Sequence, residues 1–369
     1  MEIYLFIVAA VIILGLMMPQ HESPKKSYIV VMAIMHTFVC GFRYMHLTGD
    51  LMKYHYEYNS VANYAWLSDE VLHEGRNAGF YLLMKLFSGI TNGNFQIFLI
   101  FIAIVIEVVV AILIFKYSPI PWFSYLVWNC LCFYIFGFSS IKQALAMAVL
   151  MIAYVFIVKE KPVKFLIVTL IAGLIHMPAL VFLPAYWIAK RKINANTIWS
   201  YIIVAVLVFL LKGPIVSFIS SIYYEEEQFE MSSSGLGGRF IMIVAMLVCA
   251  VLFKGFEEKN VSGLFNIIAV AAIFQMLSGF DNVFTRMTDY YLQFSILFLP
   301  MVFSNYKCNT LVDNSQQKAV IPLDDKMLNI TVAVVSVVLI WFYYTYCLGV
   351  DISYSVDDYT NFRFMWDVT

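Results

Sequence analysis

The sequence predicts an all-α, polytopic transmembrane bundle of about 10–12 membrane helices, some of them short or broken. Hydrophobic residues make up 62% of the 369 residues and charged residues only 13%. A soluble domain carries roughly a quarter charged residues, so this chain has too little polar surface to coat a globule. Long apolar runs succeed one another along its length, and Lys and Arg gather in the linkers between them. The net charge of −1 gives no electrostatic footprint for nucleic acid or another polyanion.

The first apolar run, Ile3–Met18, lacks a small-residue cleavage site and reads as a retained helix rather than a signal peptide. Tyr28–Phe42 follows, overlapping the dense polar stretch Cys40–Tyr58. Gly79–Phe87 is apolar but too brief to cross, and is expected to lie flat or re-enter. Then come Phe95–Phe115, Pro121–Phe138, Ile141–Val158, Phe165–Ile188 and Ile198–Leu211. Phe240–Phe253, Leu264–Gly279, Tyr290–Phe303 and Leu328–Leu348 complete the series. Several fall short of the roughly 20 residues that span hydrocarbon. Their flanking aromatics are therefore expected at the interface, with Trp341, Tyr343, Tyr344 and Tyr346 as a belt. Cys40, Cys130, Cys132, Cys249, Cys308 and Cys347 read as buried thiols, and Cys130-Leu131-Cys132 is no metal spacing without further ligands.

Orientation follows from the basic linkers. Lys25, Lys26, Lys116, Lys159, Lys161, Lys164, Lys190, Arg191, Lys192, Lys254, Lys259, Lys307, Lys318 and Lys326 all face the cytoplasm on one condition: Phe165–Ile188 must not cross as a single helix. Gly173, His176, Met177 and Pro178 interrupt that run. Proline removes a donor and disfavours helix at the residue before it, which predicts two half-helices turning near His176. The chain then reads as one transmembrane domain, residues 1–369. Both termini and the loops 43–79 and 212–239 are outside, and a linker at 305–326 is cytoplasmic. Glu225–Glu227 reads as a solvated charge run and Ser232–Gly238 as a hinge. No inverted repeat is visible, which disfavours a two-half transporter.

The chemistry-bearing residues each admit two readings. Arg43 is an interfacial anchor or a clamp for diphosphate or carboxylate. Asp50, with Tyr54 and Tyr58 at i+4 and i+8, is a helix cap or a carboxylate flanked by aromatics that hold a sugar. Lys142 and Gln143 open an apolar helix, where Lys142 snorkels or binds an anion and Gln143 needs a partner. His176 is a satisfied core imidazole or a base for a hydroxyl proton. Arg286, Asp289 and Tyr290 share a helical face, as a local Arg–Asp pair or as a second cation for a phosphate. No HExxH, DxD or GxSxG motif occurs, so any chemistry is expected to be free of metals and cofactors.

Taken in order, Arg43 with Gly49-Asp50 and Tyr54, Lys142-Gln143-Ala144-Leu145-Ala146, His176, and Arg286 with Tyr290 resemble the EpsG-like polysaccharide polymerases, distant relatives of Wzy-type O-antigen and capsule polymerases. Two departures stand out: Lys142 replaces the arginine usual before that glutamine, and Asn77-Ala78-Gly79-Phe80 lacks an acid often found there. The resemblance implies a bundle like that of GT-C-type membrane glycosyltransferases in the bacterial plasma membrane. It implies polymerisation of undecaprenyl-diphosphate-linked oligosaccharide repeats into capsule, exopolysaccharide or O-antigen, alongside a flippase and a chain-length regulator. Arg43, Lys142 and Arg286 would meet the donor diphosphate, with His176 or Asp50 as base and Tyr54 and Tyr290 against sugar rings. Rival classes are a lipid-linked sugar flippase and a membrane acyltransferase. The first needs a polar path where the runs hold only Glu107, and the second needs a histidine reachable from the cytoplasm.

Overall fold

The computed structural model describes residues 2–17, 22–72, 77–223, 236–253, 259–279, 282–312, 325–348 and 362–367. The Glu225–Glu227 run, Ser232–Gly235 of the hinge and residues 313–324 of the linker lie outside them. The described residues are all-helical but for turns and one isolated bridge. The chain opens with α1 (Glu2–Met17), α2 (Glu22–Gly41), α3 (Gly49–Val61) and α4 (Asp69–Leu72). Next are α5 (Ala78–Ile90), α6 (Phe95–Tyr117), α7 (Pro121–Cys130), α8 (Ile141–Val158) and α9 (Pro162–Ile175). Then follow α10 (Ala185–Ile188), α11 (Ala195–Leu210), α12 (Lys212–Tyr223) and α13 (Gly238–Leu252). The series ends with α14 (Lys259–Gln275), α15 (Asn282–Leu292), α16 (Ser295–Val312) and α17 (Asp325–Phe342).

Two compact units result: Met1–Leu180 with Asn329–Thr369, and Val181–Leu328. In the first, α2 packs on α6, α6 on α8, α8 on α9, and α3 and α9 on α5. In the second, α14 is central, against α13, α15 and α16. α6 and α8 are long and apolar enough to cross a membrane, and α1, α5, α9, α11, α13 and α14 are shorter apolar helices. On α6, Phe98, Ile102, Ile106, Val110 and Leu113 are buried, whereas Ile97, Ile104, Val108 and Ile112 are exposed. α11 is apolar and buries nothing. Apolar faces of this extent are unsuited to water and suited to hydrocarbon.

The interruption at His176 is real. α9 ends at Ile175, His176 is extended (φ −148°, ψ 107°), and a 3₁₀ segment, Met177–Phe182, follows. A Cβ on Gly173 would lie 2.3 Å from Leu180 Cδ2. Residues seven apart in a continuous helix are separated by roughly 10 Å of rise, so the chain doubles back here.

Other expectations needed correction. Pro121–Phe138 is not one helix: α7 stops at Cys130, Cys132 takes φ 67°, and a 3₁₀ turn, Ile135–Phe138, leads towards α8. Cys132 is disulfide-bonded rather than a thiol, while Cys40 and Cys130 are buried thiols as expected. Cys132 is half-buried where Cys130 is fully buried. In the aromatic belt, Trp341 and Tyr344 are exposed but Tyr343 is buried, because a π-helical turn, Tyr343–Cys347, redirects it towards α7. Gly79–Phe87, in contrast, keeps its expected shortness: it is the core of the 13-residue α5, an amphipathic helix wedged among α3, α6 and α9.

Candidate functional site

In the first unit a cation is held in an aromatic cage. Lys142 Nζ, in the first turn of α8, lies 4.9 Å from the ring centre of Tyr54, 5.2 Å from Tyr81 and 5.8 Å from Phe80. Nζ also donates to the Tyr81 hydroxyl at 3.5 Å, and that hydroxyl donates to Glu57 Oε2 at 3.2 Å. Lys142 therefore does not snorkel. Ring faces attract the ammonium by about 0.5–2 kcal/mol depending on desolvation. Burial, with the Glu57 carboxylate beside it, pushes the Tyr81 hydroxyl above the usual tyrosine range, so it stays a donor.

The walls of the cage are fixed by local chemistry. Thr48, not Asp50, is the N-cap of α3: its Oγ1 accepts the Leu51 N–H at 3.3 Å. Asp50 stands exposed in the first turn, where the helix dipole favours a carboxylate, while Tyr54 and Tyr58 are buried. At the other end of α3, Lys85 Nζ reaches the carbonyls of Val61 (3.0 Å), Ala62 (3.4 Å) and Tyr64 (2.6 Å). That cation satisfies acceptors a helix C-terminus leaves open. α5 starts at Asn77, whose left-handed backbone (φ 55°) is one that asparagine tolerates. Asn77 Oδ1 accepts the Met177 N–H at 2.9 Å. Asn77 thus pins the break next to His176. His176 is buried and caps α9, its N–H on Ala172 O at 2.8 Å. Gln143 is buried behind Lys142 on α8.

Arg43 follows α2 and is wholly buried, at 0% exposure, which removes the interfacial-anchor reading. Its Nη1 bonds the Cys40 carbonyl and lies 3.5 Å from Cys40 Sγ, and its Cζ is 5.8 Å from the Phe138 ring centre. Nε and Nη2 have no partner among the described residues. Gln96 Nε2 holds the end of α2 through the carbonyls of Gly41 (2.8 Å) and Arg43 (3.1 Å). The C-terminal segment pairs with the same backbone: Tyr44 N–H donates to Arg363 O at 2.8 Å, and Met365 N–H to Phe42 O at 2.9 Å. Nearby in sequence, His46 Nε2 and His55 Nδ1 are 2.7 Å apart, and His55 stacks on Phe95 at 5.1 Å.

The second unit holds Arg286, Asp289 and Tyr290 on α15. The local Arg286–Asp289 pair is not what forms: Asp289 is paired with Arg239 of α13, both buried. Arg286 is exposed and Tyr290 is buried. An inward-facing Asp289 needs an inward cation, and Arg239 enters the unit from the neighbouring helix.

A model of the EpsG family matches residues 26–347. That span is most of the chain and contains all four resemblance motifs. This chain is a member of the EpsG family. It is accordingly a polysaccharide-related membrane protein. No curated protein and no solved structure gives a match.

Two EpsG-motif residues far apart in sequence, Tyr54 and Lys142, meet in the cage. Sequence reading missed two of their neighbours, Glu57 and Tyr81, and in the second unit it missed Arg239 as the partner of Asp289. Glu57 carried a signal, lying three residues after Tyr54 and so on its helical face. Arg239 had the setting of Lys142, a cation in the first turn of an apolar helix. Tyr81 carried none, since its partners come from α3 and α8.

Proposed function

We propose that this EpsG-family protein is a glycosyltransferase that polymerises undecaprenyl-diphosphate-linked oligosaccharide repeats at the outer face of the bacterial plasma membrane. The product is capsule, exopolysaccharide or O-antigen. The observation carrying the proposal is the Lys142 cage, a positive charge walled by Tyr54, Phe80 and Tyr81 with a carboxylate one hydroxyl away. Aromatic faces and a fixed cation are what a sugar ring and a phosphate require. In this reading Arg43 offers Nε and Nη2 to a diphosphate, since both N–H groups are unsatisfied as they stand. The exposed Arg286 is assigned to phosphate binding. Buried Tyr54 and Tyr290 support the sugar sites as walls, and Asp289 orients Arg239. An acceptor hydroxyl loses its proton as the glycosidic bond forms, and His176 and Asp50 are the bases the family resemblance offers. The disulfide at Cys132 supports placing that end of α7 outside, because such bonds persist in oxidising compartments.

The test is reconstitution. Purified protein in proteoliposomes receives lipid-linked repeats extracted from a strain of the source organism lacking this gene. A polymer ladder on gels is expected, and it should vanish for Arg43→Met and Lys142→Met. Failure of the wild-type protein to polymerise, or transfer of unpolymerised repeats across the bilayer, would overturn the reading.

A further inference from the structure

We propose that Glu57 is the catalytic base, taking the acceptor hydroxyl's proton, and that Tyr81 positions it. The inference rests on the polymerase reading and gives the base a residue that the family resemblance did not name. Geometry favours Glu57 over both earlier candidates. Asp50 is exposed in the first turn of α3, and His176 is buried as the cap of α9. Glu57 is half-buried, on the face of α3 that carries Tyr54, and its carboxylate is tied into the Lys142 cage.

The hydrogen-bond order is forced. Tyr81 has one hydroxyl proton, and Lys142 can only donate. Lys142 therefore donates to the Tyr81 oxygen, and Tyr81 donates to Glu57 Oε2. That bond occupies one carboxylate oxygen and leaves Oε1 for a hydroxyl. Glu57 and Lys142 form no direct ion pair among the described residues. The hydroxyl between them keeps the charges apart, so the carboxylate remains available as a base.

The acceptor hydroxyl oxygen bonds the anomeric carbon of the donor repeat. The anomeric C–O bond to the lipid diphosphate breaks, and its electron pair leaves with the diphosphate. The hydroxyl proton passes to Glu57 Oε1 and from there to water. Lys142 stabilises negative charge building on the leaving diphosphate.

The test uses the same proteoliposomes. Glu57→Gln keeps an acceptor for Tyr81 but takes up no proton, so kcat should fall by about 100-fold or more with KM little changed. Glu57→Ala should be as slow and should regain rate with added formate, a result that a structural role does not produce. Tyr81→Phe should lower kcat less than Glu57→Gln does. A wild-type protein that polymerises while Glu57→Gln stays within about tenfold of its kcat overturns the base assignment alone. So does a Glu57→Ala variant that folds but shows no formate rescue. A wild-type protein that makes no polymer overturns the parent reading instead.

Discussion

Arg43 and Arg239 each stand at the end of an apolar helix with the guanidinium out of water, and their partners differ. Arg239, in the second unit, is ion-paired with the buried Asp289. Arg43, in the first, spends Nη1 on the Cys40 carbonyl and leaves Nε and Nη2 without partners among the described residues. Buried polar groups are nearly always satisfied, and breaking a buried pair is costly. Burial alone does not separate a structural cation from a ligand-binding one. The partners differ: Arg239 is tied to a carboxylate of the fold, and in the proposed function the open N–H groups of Arg43 are offered to an anion.

The largest expected effect is on the fold. Arg239→Met strands the Asp289 charge and should cost about 3–5 kcal/mol, read as a large fall in thermal midpoint in detergent. Arg239→Met with Asp289→Leu should recover most of that loss, because a buried pair replaced by apolar side chains is often neutral. Arg43→Met should leave the midpoint level or raise it while abolishing polymer. If Arg43→Met unfolds the protein as severely as Arg239→Met does, the contrast between the two arginines fails.

Lys142→Met sharpens the same contrast at the cage. The apolar chain still fits among Tyr54, Phe80 and Tyr81, so stability should change by only about 1–2 kcal/mol. Polymer formation should be lost, as measured by ladder length at equal protein level. A stability loss as large as that of Arg239→Met would make Lys142 a structural cation.

How far the sequence reveals this depends on how local each cause is. The all-helical class follows from composition, and the break at His176 follows from Pro178 and its neighbours acting on their own backbone. Lys142 and Tyr54 were legible as unusual residues in apolar or aromatic settings. Their meeting was not, because α3 and α8 are brought together by α5, and Phe80 and Tyr81 looked like ordinary apolar positions. The Asp289 partner was misread for a related reason. Spacing on one helix offers Arg286, but burial draws the carboxylate inward, where it meets Arg239 from α13. Thr48 displaced Asp50 as the cap of α3 because the helix begins two residues earlier than an Asp50 cap implies.

A smaller effect is expected at Asn77. Alanine there removes the acceptor for the Met177 N–H and forces a left-handed backbone on a residue that disfavours it. The two costs are of order 1–3 kcal/mol each, and Asn77→Gly removes only the first. Asn77→Asp keeps the acceptor and should be close to wild type. Unfolding midpoints for the three variants should rank Asp above Gly above Ala. Any other order would detach the His176 turn from Asn77.

The smallest effect concerns pH and the His46–His55 pair. Burial lowers the His55 pKa, and the charge of His46 lowers it further. With Nε2 and Nδ1 at 2.7 Å, one ring donates and the other accepts, so the doubly protonated pair has no acceptor. The unfolded chain then binds the His55 proton more readily than the folded protein does. The contribution of this residue to stability is present above the ordinary histidine value of about 6.5 and is lost as pH falls below it. The Tyr44 hydroxyl lies 3.4 Å from His46 Nδ1, on the other side of that ring. His55→Gln should flatten the dependence of the unfolding midpoint on pH between about 7.5 and 5. Both rings are only half-buried, so the change should be modest beside those at Arg239 and Lys142. An unchanged slope in His55→Gln would mean that the pair does not couple to folding.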